Sequence, residues 1–283
     1  MPEAVTRSTA RRVSTAVVVL AGLASLAWSP GTTRHVAWKA VGFFPPDLAR
    51  QVRKHHRLYD QGIQDGLRLP PAWRAGPPGK LRDALLAQAR KCSDDLRRPV
   101  PLRDLVRELG TLAVLVADAN DPLAVTHTDP RESSYAGSYQ DYADSILDRV
   151  RVVYYGRDPR LVGRGQLDDF VGTTLNRSRS WYSLLGEEFY RTGSLRDWRT
   201  FDDRSVAFGI AGVSLSHAMT DMANLAAWVW GSGGGLVPTP LPTPAGHRGP
   251  TIVVSLDGGF PERNQPKRGA PVMPTSKIQL PPP

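Results

Sequence analysis

The chain has 283 residues and a single cysteine, Cys92, so an intramolecular disulfide is excluded. Cys92 lies in a helical pattern at residues 84–98, and we expect a half-buried free thiol there. The sequence has no Cys-x-x-Cys, no Gly-x-Ser-x-Gly and no His-Glu-x-x-His. The glycine run at 231–235 is not followed by a helix that opens with Lys, so it is not a phosphate-binding loop. Cysteine-based metal sites, serine-hydrolase elbows, zincin helices and P-loops are therefore all absent.

The charge is unbalanced but not concentrated. The sequence holds 36 Lys plus Arg against 27 Asp plus Glu, a formal net charge of +9. The basic residues are scattered, without a consecutive block or a basic-aromatic stripe, so no specific nucleic-acid signature is present. Such a charge favours weak attraction to anionic surfaces such as phospholipid head groups. It is equally typical of a solvated basic surface that keeps a protein soluble.

No apolar run reaches the roughly 20 residues that cross a bilayer as a helix. The longest one near the start, residues 13–27, follows Arg11 and Arg12 and ends in Ser25-Leu26-Ala27. A positive start, a short apolar run and a small-x-small end predict a secretory signal that is cut before Trp28. An uncut N-terminal anchor is the alternative. The arginine pair leaves the general and twin-arginine routes both open. We expect a protein of the periplasm, cell envelope or extracellular space.

The chain is predicted to have three parts: a signal at 1–27, a helical domain at 28–230 and a tail at 231–283. Within the domain, apolar spacing of the helical period recurs and no segment alternates convincingly as a strand, which predicts an all-α fold, a single multi-helix bundle. The predicted helices span residues 33–41, 48–62, 80–97, 102–119, 135–155, 167–191 and 203–230. The tail is rich in proline and glycine, which predicts a disordered or extended spacer, or an envelope-binding segment.

Two segments together carry a family resemblance. One is the predicted mature start, Ala27-Trp28-Ser29-Pro30-Gly31-Thr32-Thr33-Arg34, and the other is the 109–118 segment, LGTLAVLVAD, followed by Pro122-Leu123-Ala124. They resemble the bacterial zinc-dependent phospholipase C family and the related fungal single-strand nucleases. The end of the last predicted helix, at 221–228, also looks like the closing helix of bacterial members.

The resemblance implies an exported all-α hydrolase with three zinc ions held by imidazoles and carboxylates. In that family the amino group and carbonyl of the N-terminal Trp bind zinc, which gives Trp28 a metal-ligand role. The metals would neutralise a phosphodiester and activate a bound water for attack on phosphorus. Zinc is thus the expected cofactor if any site survives, and a phospholipid or another phosphodiester the expected substrate.

Most family ligands are missing from this sequence. Of the residues in the 109–124 region, only Asp118 is retained, at the place of the carboxylate that bridges two metals. Expected histidines are replaced by Thr33, Val114 and Ala124, and none of these three residues offers an imidazole. Asp65 is a loose candidate for the family's catalytic or zinc-binding carboxylate.

The family's later His-x-x-x-Glu/Asp pair is also not found. It should fall within residues 135–147, where Ala136 with Gln140 is the best match. Neither side chain offers an imidazole or a carboxylate. The resemblance therefore implies a site that has lost a second set of ligands as well.

Other residues offer a partial replacement. His35 is a candidate ligand near Trp28, with a surface histidine as the alternative, and His127 follows the lost ligand position by three residues. His217 and Asp221 are spaced i, i+4, so on a helix they share a face. That pair suits metal chelation, but a structural hydrogen bond in a helix interface is the favoured interpretation.

Three functions follow from these patterns. The first is an exported phospholipase C-like protein that has lost most zinc ligands and is non-catalytic or has a reduced site. The second is an active metal-dependent phosphodiester or phospholipid hydrolase, with one or two metals on Trp28, Asp118 and His35, His217 or Asp221. The third is an envelope interaction protein that acts through its Pro-rich tail. The sequence leaves the oligomeric state open.

Overall fold

The structure is a computed structural model that describes residues 27–75, 79–162 and 166–237. Across these residues the chain is helical and contains no strand, which confirms the all-α prediction. The predicted signal up to residue 26, and the tail from residue 238 onward, lie outside the described residues. Among the described helices, none is both long and apolar enough to cross a membrane.

Eleven α-helices are described, numbered here in chain order, with short 3-10 turns at Val41–Phe43, Pro159–Leu161 and Trp198–Thr200. They are α1 Pro30–Ala40, α2 Pro46–Lys54, α3 His56–Leu67, α4 Pro71–Arg74, α5 Lys80–Arg97, α6 Leu102–Ala119, α7 Pro122–Val125, α8 Glu132–Ile146, α9 Leu167–Ser180, α10 Tyr182–Phe189 and α11 Val206–Ser232.

Helix α6 lies at the centre of the bundle. Apart from Thr111, every residue from Leu109 to its end is buried, because α1, α3, α5 and α11 surround it. A helical segment that is apolar on all sides belongs inside a protein, and residues 112–117 of α6 match that rule. The predicted span of 102–119 is confirmed, and so is 80–97 for α5.

Helices α3 and α6 approach so closely that their backbones touch. A Cβ on Gly62 would lie 1.8 Å from the Arg107 carbonyl oxygen, and one on Gly110 would lie 2.3 Å from the Tyr59 carbonyl oxygen. Real Cβ atoms do not come this near to a backbone oxygen. The contact therefore requires glycine at both positions, and it fixes α6 against α3.

The predicted helix at 135–155 is wrong beyond Ile146, where α8 ends. The chain then runs without helix along α11, whose Ser216, Thr220 and Asn224 are spaced four apart on one face. Their side chains accept hydrogen bonds from the backbone amides of residues 153, 155 and 158 at 3.0–3.2 Å. The row of polar side chains replaces the helical carbonyls that these amides would otherwise need.

Two other predicted helices are interrupted, the last helix begins later than predicted, and Cys92 is more deeply buried than expected. The 48–62 helix is interrupted at His55, whose φ of −108° and ψ of 34° separate α2 from α3. The 167–191 helix is interrupted at Trp181, which separates α9 from α10. The last helix begins at Val206 rather than at 203, because Ser205 caps it. Cys92 is fully buried, not half-buried, and burial raises the pKa of its thiol.

Candidate functional site

The strongest concentration of buried polar groups lies at the C-terminal end of α6, in the segment Asp118-Ala119-Asn120-Asp121, called here the 118–121 cluster. Its three polar residues are at most 2% exposed. Pro122 cannot continue the helix, so α6 ends at Ala119, with Asn120 as its C-cap. Asp121 then caps α7 by accepting a hydrogen bond from the Leu123 amide at 2.9 Å. The turn directs the three polar side chains to three different partners.

Asp118 is bound by Arg74, the last residue of α4. The guanidinium Nε lies 2.8 Å from one carboxylate oxygen and Nη2 lies 2.9 Å from the other, a two-pronged ion pair. Asp118 is 0% exposed and the Arg74 side chain 15%. Burial raises the pKa of Asp118 above its ordinary value, and the charge and hydrogen bonds of Arg74 oppose that rise. Both oxygens that would bridge two metals therefore face a guanidinium.

Asn120 links the cluster to a second buried ion pair, Arg177–Asp221. The Asn120 amide donates to the Asp221 carboxylate at 3.1 Å, and its oxygen accepts from Arg177 at 2.9 Å. Asp221 also accepts from Thr174 at 3.1 Å and from Arg177. Burial raises the pKa of Asp221, and the Arg177 charge opposes this. The α9 helix thereby ties the end of α6 to α11.

Asp121 is the third carboxylate and has no guanidinium partner among the described contacts. It is 0% exposed, and its Oδ2 atom has no hydrogen-bond partner in the described part of the chain. Its pKa is raised well above the ordinary value, mainly by burial and further by the nearby charges of Asp118 and Glu132. Hydrogen bonds from the backbone amides of Leu123 and Trp28 act in the opposite direction.

Trp28 is therefore in the same neighbourhood as the end of α6. Its side chain is 2% exposed and packs against Tyr139, with 5.6 Å between the ring centroids. Ser29 accepts from the Thr32 amide at 3.0 Å and so caps α1. The hydroxyl groups of Ser29 and Thr32 also donate hydrogen bonds to the Asp144 carboxylate on α8. The predicted mature start is thus a built part of the fold, held from several sides.

The positions at which the resemblance expects histidines are filled by packing. Thr33, Val114 and Ala124 are all fully buried. A Cβ built on Gly66 would lie 2.7 Å from a Val114 methyl group, so Val114 packs directly on the α3 backbone.

On α11, His217 and Asp221 lie in two separate environments. His217 stacks on Tyr155 with ring centroids 4.1 Å apart, while Asp221 binds Arg177, Asn120 and Thr174. Burial, and to a lesser degree the Arg177 charge, lowers the pKa of His217 to about 4. The described hydrogen bonds do not join His217 to Asp221.

The remaining candidates are dispersed. Asp65 is on the outer side of α3, where it forms an exposed ion pair with Arg107 at 2.7 Å. His35 is half-buried on α1. His127 lies 2.9 Å from Glu132, a buried carboxylate that also accepts from the Tyr182 hydroxyl.

A zinc cluster does not fit the residues that are present. In the described part of the chain, no three or more His, Cys, Asp or Glu side chains come together in a way that would hold a metal ion. The Asp118 oxygens already bind Arg74, and a cation placed there would meet a fixed positive charge. No family model matches the chain, and no curated protein matches it.

The residues that build this cluster were not all visible in the sequence. Asn120-Asp121-Pro122 is recognisable only as a helix stop, although an Asp directly before Pro is a typical capping signal. Arg74 lies in a proline-punctuated stretch with no feature that pairs it with Asp118. Arg177 is one of many scattered arginines. Their roles arise from contacts between residues 44 and 57 positions apart in the chain.

Proposed function

We propose that this chain is an exported, non-catalytic helical protein of phospholipase C-like type, in which arginines have taken the place of metals. The observation that carries the proposal is the two-pronged Arg74–Asp118 ion pair, buried at the position where the resemblance expects a bridging carboxylate. A guanidinium can neutralise that carboxylate, but it cannot lower the pKa of a bound water as zinc does. Arg74 thus balances the charge of Asp118 without supplying the water activation that zinc would supply.

The second ion pair supports the same conclusion. Arg177 neutralises Asp221, and Arg177, Asn120 and Thr174 all donate to the same carboxylate oxygen, Oδ2. A buried carboxylate held by a guanidinium and two neutral donors is typical of a structural support. A catalytic acid or base needs access to a substrate instead.

A binding role suits the surface better than a catalytic one. A groove of about 430 Å³ lies between α4 and α5, with Leu69, Ala84 and Leu115 on its walls. Trp73, which is 48% exposed, also lines it, together with two basic residues, Lys80 and Lys91, and one acidic residue, Asp83. An apolar groove beside a basic residue, on a protein of net charge +9, suits an anionic phospholipid.

The catalytic half of the proposal is tested with the mature protein purified after export. We expect no hydrolysis of bis-(p-nitrophenyl) phosphate or of phosphatidylcholine vesicles, with or without added zinc. Hydrolysis that disappears in Asp118→Ala would contradict the proposal and support the reduced-site hydrolase. Arg107→Ala, which breaks only an exposed ion pair, is the matched control.

The binding half is tested by co-sedimentation with vesicles. We expect retention on vesicles that contain phosphatidylglycerol, weaker retention on phosphatidylcholine alone, and at least about a threefold loss for Trp73→Ser. Leu195→Ser removes another exposed apolar side chain, 45% exposed, and should retain binding. Equal binding by both variants would overturn the groove assignment. If removal of residues 231–283 alone abolished binding, the tail would be the envelope-binding element.

A further inference from the structure

The N-terminal half of α11 carries two surface cavities that adjoin each other. The larger, of about 440 Å³, is walled on one side by the chain that follows α8, and the smaller, of about 300 Å³, by the start of α10. Both cavities are lined by Gly209 and Val213. A Cβ on Gly209 would meet nothing within 4 Å, so no side chain separates the cavities at this residue. The two are called here the α11 groove.

The walls of the α11 groove are mostly apolar, although they face solvent. Leu184 is 37% exposed and Val206 is 40% exposed. A contiguous apolar surface on a folded domain is typical of a place where another molecule binds. Six apolar side chains line the groove besides Val213: Val150, Val153, Trp181, Leu184, Val206 and Phe208.

The hydroxyl group inside the groove has its partners already. Ser216 donates to the Gly212 carbonyl at 2.8 Å and accepts from the Val153 amide at 3.1 Å, which is the bond that holds the wall in place. A ligand that lies here therefore needs no hydrogen-bonding group along its length. Hydrocarbon suits this part of the groove, because a buried polar group would lose its water without gaining a partner.

The charged side chains of the groove all line the larger cavity. Arg149 forms an ion pair with Asp203, and its guanidinium lies 5.6 Å from the centre of the Phe208 ring. Arg151 is exposed and has no acceptor in the part of the chain that the structure describes. One positive charge is thus left unmatched beside an apolar channel. A guanidinium binds a carboxylate through two parallel hydrogen bonds, so a single carboxylate matches both its charge and its shape.

We propose that the α11 groove binds a long-chain fatty acid. Its carboxylate pairs with Arg151, and its hydrocarbon chain follows Val150 and Val153 and then crosses Gly209 into the smaller cavity. A doubly charged phosphate monoester would need a second free guanidinium, and Arg149 is already held by Asp203. The two cavities have the size of small-molecule sites, whereas a partner helix needs one wide trough.

This inference goes beyond the function proposed above and does not depend on it. The groove for phospholipid lies beside α4 and α5, whereas the α11 groove shares no lining residue with it. The walls of the α11 groove also contain none of the residues at which the resemblance expects zinc ligands. The fatty acid site can therefore exist whether or not the protein hydrolyses phosphodiesters.

The binding is measured by calorimetric titration of the delipidated protein, purified from its host, with laurate below its micellar concentration. We expect about one laurate per chain with a dissociation constant at or below about 10 μM. Dodecyltrimethylammonium has the same chain with a positive head and should bind at least about tenfold more weakly. Absence of laurate binding, or equal affinity for the two amphiphiles, would overturn the inference.

The path of the hydrocarbon chain is tested with Gly209→Leu. The new side chain enters open space, so the fold should remain, but it fills the junction of the two cavities. We expect laurate to bind at least about tenfold more weakly, because several methylenes lose their contact with the protein. Gly137→Leu on α8 is the matched control, since its Cβ position is open as well and lies outside the groove. Equal loss in both variants would contradict the proposed path.

The carboxylate contact is tested with Arg151→Gln, a substitution of an exposed side chain that keeps the fold even if Gly209→Leu does not. We expect laurate affinity to fall at least about fivefold, with no change for dodecyltrimethylammonium or an increase. Arg204→Gln removes the same charge from an exposed residue that does not line the groove, and it should bind laurate as the wild type does in 150 mM salt, about one Debye length of 8 Å. Unchanged binding in Arg151→Gln would contradict the contact.

Other occupants of the groove give different results. Laurate binding that is lost in Trp73→Ser but kept in Gly209→Leu would place the fatty acid in the groove beside α4 and overturn the inference. A dimer in analytical ultracentrifugation that Gly209→Leu converts to a monomer, without laurate binding to either form, would show that a second copy covers this face. Loss of vesicle binding in Trp73→Ser with unchanged laurate affinity would support both proposals as separate sites.

Discussion

Helix α6 is held in two different ways along its length. Its middle is fixed by shape, because Gly62 and Gly110 let the α3 and α6 backbones touch. Its C-terminal end is fixed by charge, because Arg74 and Arg177 neutralise Asp118 and Asp221 there. The first contact needs the absence of side chains, and the second needs charged groups from distant parts of the chain. Only the second region retains the polar residues from which a metal site could be built.

The charged end should give the largest single effect. Arg74→Ala leaves Asp118 buried without its counter-charge, and we expect a loss of about 3–5 kcal/mol in the free energy of unfolding. Replacing both partners, Arg74→Met with Asp118→Leu, should recover most of that loss, because neither charge then remains buried. Urea denaturation at pH 7 measures both. A loss below about 1 kcal/mol for Arg74→Ala would mean that the pair is solvated rather than buried.

The glycine contact should be the next most sensitive. Gly62→Ala places a Cβ against the Arg107 carbonyl, which can move only with the helix, and we expect a loss of about 3 kcal/mol. Gly137→Ala on α8 is the matched control, since nothing lies within 4 Å of its Cβ position. That substitution should stabilise the fold by about 0.5–1 kcal/mol through helix propensity. Thermal unfolding followed by circular dichroism compares the two, and equal effects would contradict the close contact.

His217, which stacks on Tyr155 near the Arg177 charge, should make the free energy of unfolding depend on pH. The pKa of His217 is about 4 in the fold against 6.5 ordinarily, so the unfolded chain binds its proton first as the pH falls. The stability that neutral His217 contributes is complete above pH 6.5 and is lost as the pH falls from 6.5 to about 4. His217→Phe keeps a ring on Tyr155 and should remove this part of the dependence. The difference between the two urea midpoints, followed from pH 7 to pH 4, measures it; a constant difference would contradict the shift.

The smallest effect is expected on the outer surface of the same helix pair. Asp65 and Arg107 join α3 to α6 at 2.7 Å, but their side chains are 35% and 50% exposed. Asp65→Asn should therefore cost less than about 1 kcal/mol, and less still in high salt. If Asp65 were instead a catalytic or metal-binding carboxylate, zinc binding would be reduced by this substitution without a change in stability.

The contrast between the two regions also explains what could be predicted from the sequence. The bounds of α5 and α6 are read from their apolar stripes and from the prolines at 101 and 122. The helix breaks at His55 and Trp181 cannot be read from the sequence in this way, because the apolar pattern continues through both residues. The unwound stretch after Ile146 depends on hydroxyl and amide groups of α11, some 60 residues away. Local patterns carry no information about such partners.

The candidate site was predictable only in part, for the same reason. Trp28 and Asp118 were identified as candidate ligands through the resemblance, and both side chains are buried. The missing imidazoles at Thr33, Val114 and Ala124 were visible as well. The Arg74–Asp118 ion pair was not visible, because Arg74 reaches Asp118 from a short helix between proline-rich turns. Asp121 was read as a helix stop, and its burial without a counter-charge is a property of the folded chain.

We propose that a guanidinium, rather than a metal ion, neutralises the Asp118 carboxylate at the end of α6. Calorimetric titration of the mature protein with zinc, after treatment with EDTA, tests it most directly. We predict no binding with a dissociation constant below about 10 μM, and no difference between the wild-type protein and Asp118→Asn. One or more zinc ions bound per chain at or below micromolar concentration, and lost in Asp118→Asn, would contradict the account.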